Sequence, residues 1–147
     1  MTVLETILKA EEGCSLSVYQ DTLGNDTVGY GHLICDDDNL PNPITQDQAE
    51  QLLQADMEDA IYDTNDALSW VKSLDENRAA IIYSMVFQMG IDKVLLFRTT
   101  LPAIQSGRWQ DAHDAMLASV WAKQTPARAA RHAEVILTGI LPEYYNS

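Results

Sequence analysis

The sequence predicts an α+β protein, mostly helical, in which a small β-hairpin lobe and a larger helical lobe are joined by one long helix. Three observations carry this. A glycine-punctuated hairpin pattern occupies the stretch up to Leu33, the segment from Gln46 to about Asn65 contains no proline or glycine, and the rest of the chain reads as helical. At 147 residues with 46% hydrophobic content, the chain is expected to be one compact domain with a real core. It has no internal repeat and no low-complexity linker.

In chain order, Val3, Leu4, Ile7 and Leu8 recur at helical spacing and mark a first helix that closes at Glu11-Glu12-Gly13. Leu16-Ser17-Val18-Tyr19-Gln20 reads as a first strand, Gly24-Asn25-Asp26 as turn chemistry, and Thr27 to Leu33 as the return strand. Strand alternation then puts Thr27, Gly29 and Gly31 on one face and Val28, Tyr30 and His32 on the other. The first face is nearly bare. Two alternate glycines point to a close approach to the backbone, with a plain bulged hairpin as the alternative.

Pro41 and Pro43 break the path, and Thr45-Gln46-Asp47-Gln48 forms a capping-box start for the long helix. Ala49, Leu52, Leu53, Ile61 and Tyr62 recur along it at largely helical spacing. Ser73-Leu74-Asp75-Glu76 opens a further helix to Met89, apolar around most of its surface through Ala79, Ala80, Ile81, Ile82, Met85, Val86 and Phe87. It is the expected centre of the core, with Met85 and Met89 as filler rather than a cofactor box. Thr125-Pro126 supplies an N-cap and a proline at the first helical position, and Gly139 ends that helix after about Thr138. The division is then a hairpin lobe over 13–45, a connecting helix over 46–65 and a helical lobe over 66–147.

Charge excludes some functions. The formal net charge is −13, and between Lys9 and Lys72 there are 14 acidic residues and no lysine or arginine. From Lys72 onward eight basic residues meet seven acidic ones. Nucleic-acid binding is not expected, because phosphate contacts need a positive patch. The run Asp36-Asp37-Asp38-Asn39 lacks the spaced ligands and closing glutamate of a calcium loop, so it reads as a solvated acidic loop and no metal is expected. Cys14 and Cys35 read as two unpaired, half-buried thiols, with a bridge across the hairpin base as the alternative. No apolar run approaches a membrane span, and the first residues lack the basic region and apolar core of a signal peptide.

The chemistry gathers around the hairpin. Glu12 is followed after eight residues by Asp21 and after five more by Thr27, with Gly29, Gly31 and His32 beyond. Hydrolysis of a sugar–sugar bond needs one acid to protonate the leaving oxygen and a second carboxylate to activate water or attack carbon. Which of the adjacent acids serves is a question of helix phase. At 100° per residue Glu11 falls near the middle of the apolar face and needs a partner, while Glu12 falls at its edge, facing the hairpin. The residues alone leave open that both are solvated helix-end acids.

In these residues the chain resembles the phage-type lysozymes, and within them most closely those of the T-even phages. The family's signature is a glutamate, eight residues, an aspartate, five residues and a threonine, then Gly-x-Gly-His. Glu12, Asp21, Thr27, Gly29, Gly31 and His32 match it without a gap. The resemblance continues through Ile44-Thr45, Met85-Val86-Phe87-Gln88-Met89-Gly90, Arg108-Trp109 and Gln124-Thr125-Pro126-Ala127-Arg128, and so covers essentially the whole chain.

The resemblance implies a lysozyme-like two-lobed fold with the 1–12 helix packed on the larger lobe, and a monomer. It implies an endolysin that hydrolyses the β-1,4 bond between N-acetylmuramic acid and N-acetylglucosamine in peptidoglycan, without cofactor and with inversion. Glu12 would be the general acid, with Asp21 and Thr27 holding the attacking water. A catalytic glutamate must be protonated near neutral pH, which burial favours and a nearby Arg128 opposes. Gly31, Leu33, Phe87, Gln88 and Thr100 correspond to cleft-lining positions. His32 would pair with Asp56, Arg128 would stand beside Glu12, and Arg131 and Tyr144 would partner Glu11.

Departures accompany the match. Family members are usually basic, Ala115 and Val120 stand where an asparagine and an arginine are usual, and the chain is short between Ile34 and Ile44, so a small-lobe helix is expected to be missing. The expected setting is synthesis in a bacterial host's cytoplasm, no membrane insertion, and action on the wall after a holin-like partner permeabilises the inner membrane. A non-catalytic glycan- or protein-binding module on the same scaffold is the alternative.

Overall fold

A computed structural model describes residues 1–146. The chain begins with α1 (Val3–Glu12), whose N-cap Thr2 hydroxyl accepts the Glu5 N–H at 3.2 Å and whose Leu4, Ile7 and Leu8 are buried. A three-stranded antiparallel sheet follows, β1 (Ser15–Gln20), β2 (Asp26–Gly29) and β3 (His32–Leu33), in the order β1-β2-β3. Tyr19 pairs with Thr27 and Gln20 with Asp26, while Thr27 faces Leu33 and Val28 faces His32.

The single return strand expected from Thr27 to Leu33 is therefore two strands. Gly29, the last residue of β2, and Gly31 both have positive φ (67° and 71°), which regular strand does not continue through, and the chain turns at Tyr30-Gly31. The alternation of faces ends at Gly29 for the same reason. No helix lies between β3 and the long helix, and Cys14 and Cys35 are both free and exposed rather than half-buried.

The long helix α2 spans Gln46–Ala67 behind a reciprocal capping box. Thr45 Oγ1 accepts the Gln48 N–H at 3.1 Å, and the Gln48 side chain accepts the Thr45 N–H at 2.9 Å. Its buried stripe is Ala49, Leu53, Met57, Ala60 and Thr64, whereas Tyr62 is 71% exposed. Thr64 is tolerated inside because its hydroxyl donates to the Ala60 carbonyl at 2.6 Å. A 3₁₀ turn (Ser69–Ser73) leads into α3 (Glu76–Met89), which buries Ala79, Ala80, Ile81, Ile82, Ser84, Met85 and Val86.

Shorter helices complete the larger lobe: α4 (Ile91–Val94), α5 (Thr100–Gln105), α6 (Trp109–Leu117) and α7 (Val120–Gln124). They are followed by α8 (Pro126–Thr138) and α9 (Glu143–Asn146). At the head of α8 the Thr125 hydroxyl does not cap. It donates to the Trp121 carbonyl at 3.2 Å, closing α7 instead. α1 packs on α3 and α9, and α2 packs on β2, β3 and α3, so the long helix touches both lobes. Among the described residues no helix is long and apolar enough to cross a membrane.

Candidate active site

α1 delivers two neighbouring carboxylates to different environments. The Glu11 side chain is 3% exposed and the Glu12 side chain 17%. Glu11 lies on the face of Leu4, Ile7 and Leu8, and a buried carboxylate there requires full pairing. Arg131 on α8 provides two contacts, at 3.0 and 2.6 Å, and the Tyr145 hydroxyl donates a third at 2.5 Å. Burial and then the hydrogen bond to Glu11 push the Tyr145 phenol well above its ordinary value. Tyr145 is thus a partner of Glu11 that the sequence did not single out, and the ring of Tyr144, the partner expected, lies 4.0 Å from the Arg131 guanidinium carbon.

Glu12 is held differently. Arg128 Nη1 donates to Oε1 at 2.7 Å. Oε2 has no hydrogen-bond partner among the described residues and rests against Gly31, where an added Cβ would stand 2.6 Å from it. Gly31 therefore serves as the floor under the carboxylate, not as a neutral spacer in a strand.

The Asp21 carboxylate closes the β1–β2 turn. Oδ1 accepts the N–H groups of Leu23 and Asn25, both at 2.9 Å, and Oδ2 has only a long contact to Asn25 Nδ2 at 3.4 Å. The Asn25 N–H is the first cause holding its carboxyl below the usual range, so Asp21 is ionised at neutral pH. Thr27 is buried and donates its hydroxyl proton to the Asn25 carbonyl at 2.9 Å, which leaves the oxygen lone pairs to accept. Opposite Thr27 in the ladder stands Tyr19, which sequence reasoning treated only as a strand residue. Burial raises its phenol first, followed by the charges of Glu12 and then Asp21, so both carboxylates act on one ring. Its place across from Thr27 was the available signal.

His32 is clamped between two acids, with Nδ1 2.7 Å from Asp56 and Nε2 2.9 Å from Asp38. Asp38, read from sequence as part of a solvated loop, also accepts the Cys35 N–H at 2.7 Å and so folds that loop onto β3. On the larger lobe a cavity of about 790 Å³ is lined by Thr100, Ala115 and Val120 together with Lys93, Phe97 and Trp121. Gln88 accepts the Trp121 indole N–H at 2.9 Å behind that wall. Phe87 is half-buried against the core, and Leu33 is 53% exposed on β3.

The family model described as phage lysozyme matches residues 9–134. The chain belongs to the phage lysozyme family. Two probable T4-type lysozymes of Dictyostelium discoideum are 36% and 33% identical to it, each alignment covering 96% of this chain and 97% of the relative. The pre-baseplate central spike protein Gp5 of Enterobacteria phage T4 is 32% identical over 94% of this chain and 28% of its own length. A lysozyme is a glycoside hydrolase, and the mostly helical α+β fold with one small sheet agrees with that membership. No group of histidine, cysteine and acidic side chains capable of holding a metal occurs among the described residues.

Proposed function

We propose that this lysozyme cleaves the β-1,4 bond of peptidoglycan with inversion, Glu12 acting as general acid and Asp21 with Thr27 holding the attacking water. The observation that carries the reading is the asymmetric Glu12 carboxyl: Oε1 accepts from Arg128 while Oε2 is unpaired over Gly31. An arginine can only donate, so a protonated Glu12 that keeps this contact carries its proton on Oε2. That oxygen lies beside the hairpin. A water placed between Thr27 Oγ1 and Asp21 Oδ2 meets two acceptors, donates both hydrogens, and turns its own lone pair outward. As the glycosidic oxygen takes the proton from Oε2, the water attacks the opposite face of the anomeric carbon and passes its proton to Asp21. Negative charge remains on Glu12, where Arg128 stabilises it.

Gly31 and Leu33 on the hairpin side, with Phe87, Gln88 and Thr100 on the helical side, are the proposed cleft. The hairpin over 13–45 and the helical lobe from 66 onward are its two walls. The proposed setting is release of phage progeny as a monomer, after a holin-like partner opens the inner membrane. Reducing-sugar release from purified Gram-negative peptidoglycan tests the assignment. Wild type should release sugar and Glu12→Gln should lose nearly all of it. Equal release by the mutant would remove Glu12 from the mechanism, and wall binding without release by folded wild type would favour the binding-module reading.

A further inference from the structure

Behind Arg128 lies a chain of polar groups that runs through the core of the helical part of the chain. Arg128 Nη2 donates to Ser84 Oγ at 2.9 Å, Ser84 Oγ stands 2.8 Å from His132 Nε2, His132 Nδ1 stands 2.9 Å from the Tyr145 hydroxyl, and that hydroxyl donates to Glu11 at 2.5 Å. Ser84 and His132 are both fully buried. The chain crosses four helices, α8, α3, α9 and α1, and ends at the carboxylates of adjacent residues.

Counting protons fixes its direction. Tyr145 has one hydroxyl proton and commits it to Glu11, so its oxygen accepts from His132 and the imidazole must carry hydrogen on Nδ1. His132 Nε2 is then an acceptor. Ser84 has no other acceptor for its proton among the described residues, so it donates to Nε2 and its lone pairs face Arg128. A protonated imidazole would present a hydrogen to Ser84 and break this order. Burial, and after it the charges of Arg128 and Arg131, hold the imidazole well below its ordinary value, in the neutral form that the geometry requires.

We propose that His132, as the neutral Nδ1–H tautomer, and Ser84 are positioning residues for the general acid: they orient Arg128 so that one nitrogen takes Glu12 Oε1 and leaves Oε2 free. The other contacts of the guanidinium both go to Ser84: Nη2 donates to Oγ at 2.9 Å and, at a longer 3.4 Å, to the main-chain carbonyl. The shorter bond does most to fix the plane, because Arg128 Nε is buried without a partner among the described residues. Glu12 is faced by the charge of Arg128 from α8 and by the titratable Tyr19 phenol of the hairpin, a ring on which Asp21 and Cys14 also act. The charged groups facing His132 are Glu11 on α1, at 3.8 Å, and Arg128 and Arg131 on its own helix. The inference rests on Glu12 being the acid.

Two measurements test it. Nitrogen-15 NMR of the wild-type side chains should find one histidine neutral and protonated on Nδ1 from about pH 5 to 8, a range in which an unperturbed imidazole changes charge. An Nε2–H tautomer or an imidazolium there would overturn the proposal without any mutant. Kinetics on purified peptidoglycan form the second arm, with Ser84→Ala, His132→Asn and His132→Gln. Asn places a donor near the Nδ1 position but no acceptor for Ser84, whereas Gln carries an acceptor out to the Nε2 position. Ser84→Ala and His132→Asn should lower kcat by about tenfold or more with KM little changed, and His132→Gln should recover much of the loss. Mutants with wild-type kcat and only a lower melting temperature would reduce the chain to a structural one. Activity retained in Glu12→Gln would instead sink the acid assignment, so the two failures are distinguishable.

Discussion

Raising the pH should detach the hairpin from the long helix through a single side chain. The clamp of Asp56 first and Asp38 second outweighs burial and lifts the His32 imidazole from 6.5 to about 9. A group with a raised folded pKa binds its proton more tightly in the native state. Its stabilisation is therefore complete below about 6.5, shrinks as pH rises, and is gone above about 9. At 1.36 kcal/mol per unit the ceiling is about 3 kcal/mol. Asp38 and Asp56 are 22% and 26% exposed, so solvent screening lowers the expected value. About 1–2 kcal/mol is the working figure. Urea denaturation of wild type and His32→Asn provides the assay. The stability gap should be about 1–2 kcal/mol near pH 6 and close by about pH 9.5, with the His32 ring titrating in the same window by NMR. A gap that stays constant across that range would refute the charge argument and leave only neutral hydrogen bonds.

Gly31→Ala should be far more damaging than its size suggests. The new Cβ would sit 2.6 Å from Glu12 Oε2 at a backbone φ of 71°. The φ strain alone is about 1–2 kcal/mol, and displacement of the carboxyl should lower kcat at least about tenfold, measured by thermal melting and sugar release together. Salt offers a separate check. At a net charge of −13 the enzyme is repelled by an anionic wall, so lytic activity should rise from low to moderate ionic strength. A flat or falling profile would count against surface repulsion.

What the sequence made legible is what local physics decides. The capping box at Thr45, the Asp75 start, the proline opening and the Gly139 stop all bracket observed helices, because each signal acts within one turn of the residue that carries it. Partner choice across elements was less accessible. α9 has only four residues, too few for a periodicity that would phase Tyr144 against Tyr145. Asp38 looked solvated because three consecutive aspartates carry no sign of which one folds back on an imidazole. Tyr62 shares in the helical spacing of α2 yet is exposed, since small and polar residues such as Ala60 and Thr64 fill the buried stripe. The turn at Tyr30-Gly31 had its signal in the alternate glycines, but a glycine pair marks equally a close approach and a left-handed turn. Here both are true: Gly31 turns the chain and receives the Glu12 carboxyl.

The adjacent acids show how little distinguishes a fully paired carboxylate from one with an oxygen to spare. Glu11 and Glu12 have identical chemistry and differ by 100° of helix rotation. Each takes an arginine from the same face of α8, Arg131 and Arg128, which stand three residues apart and so lie about one turn apart. Glu11, on the buried side, is saturated by two guanidinium contacts and a phenol, and a carboxylate so fully paired has no oxygen to offer a substrate. Glu12, at the edge, takes one contact and keeps one oxygen. The division rests on the rotation of α1, which Leu4, Ile7 and Leu8 fix by burying their side chains in the core. Turning α1 by one residue would carry Glu12 to the saturated position and leave no free carboxyl oxygen above Gly31. Hydrophobic packing one and two turns away thus determines which of two identical acids keeps an unpaired oxygen.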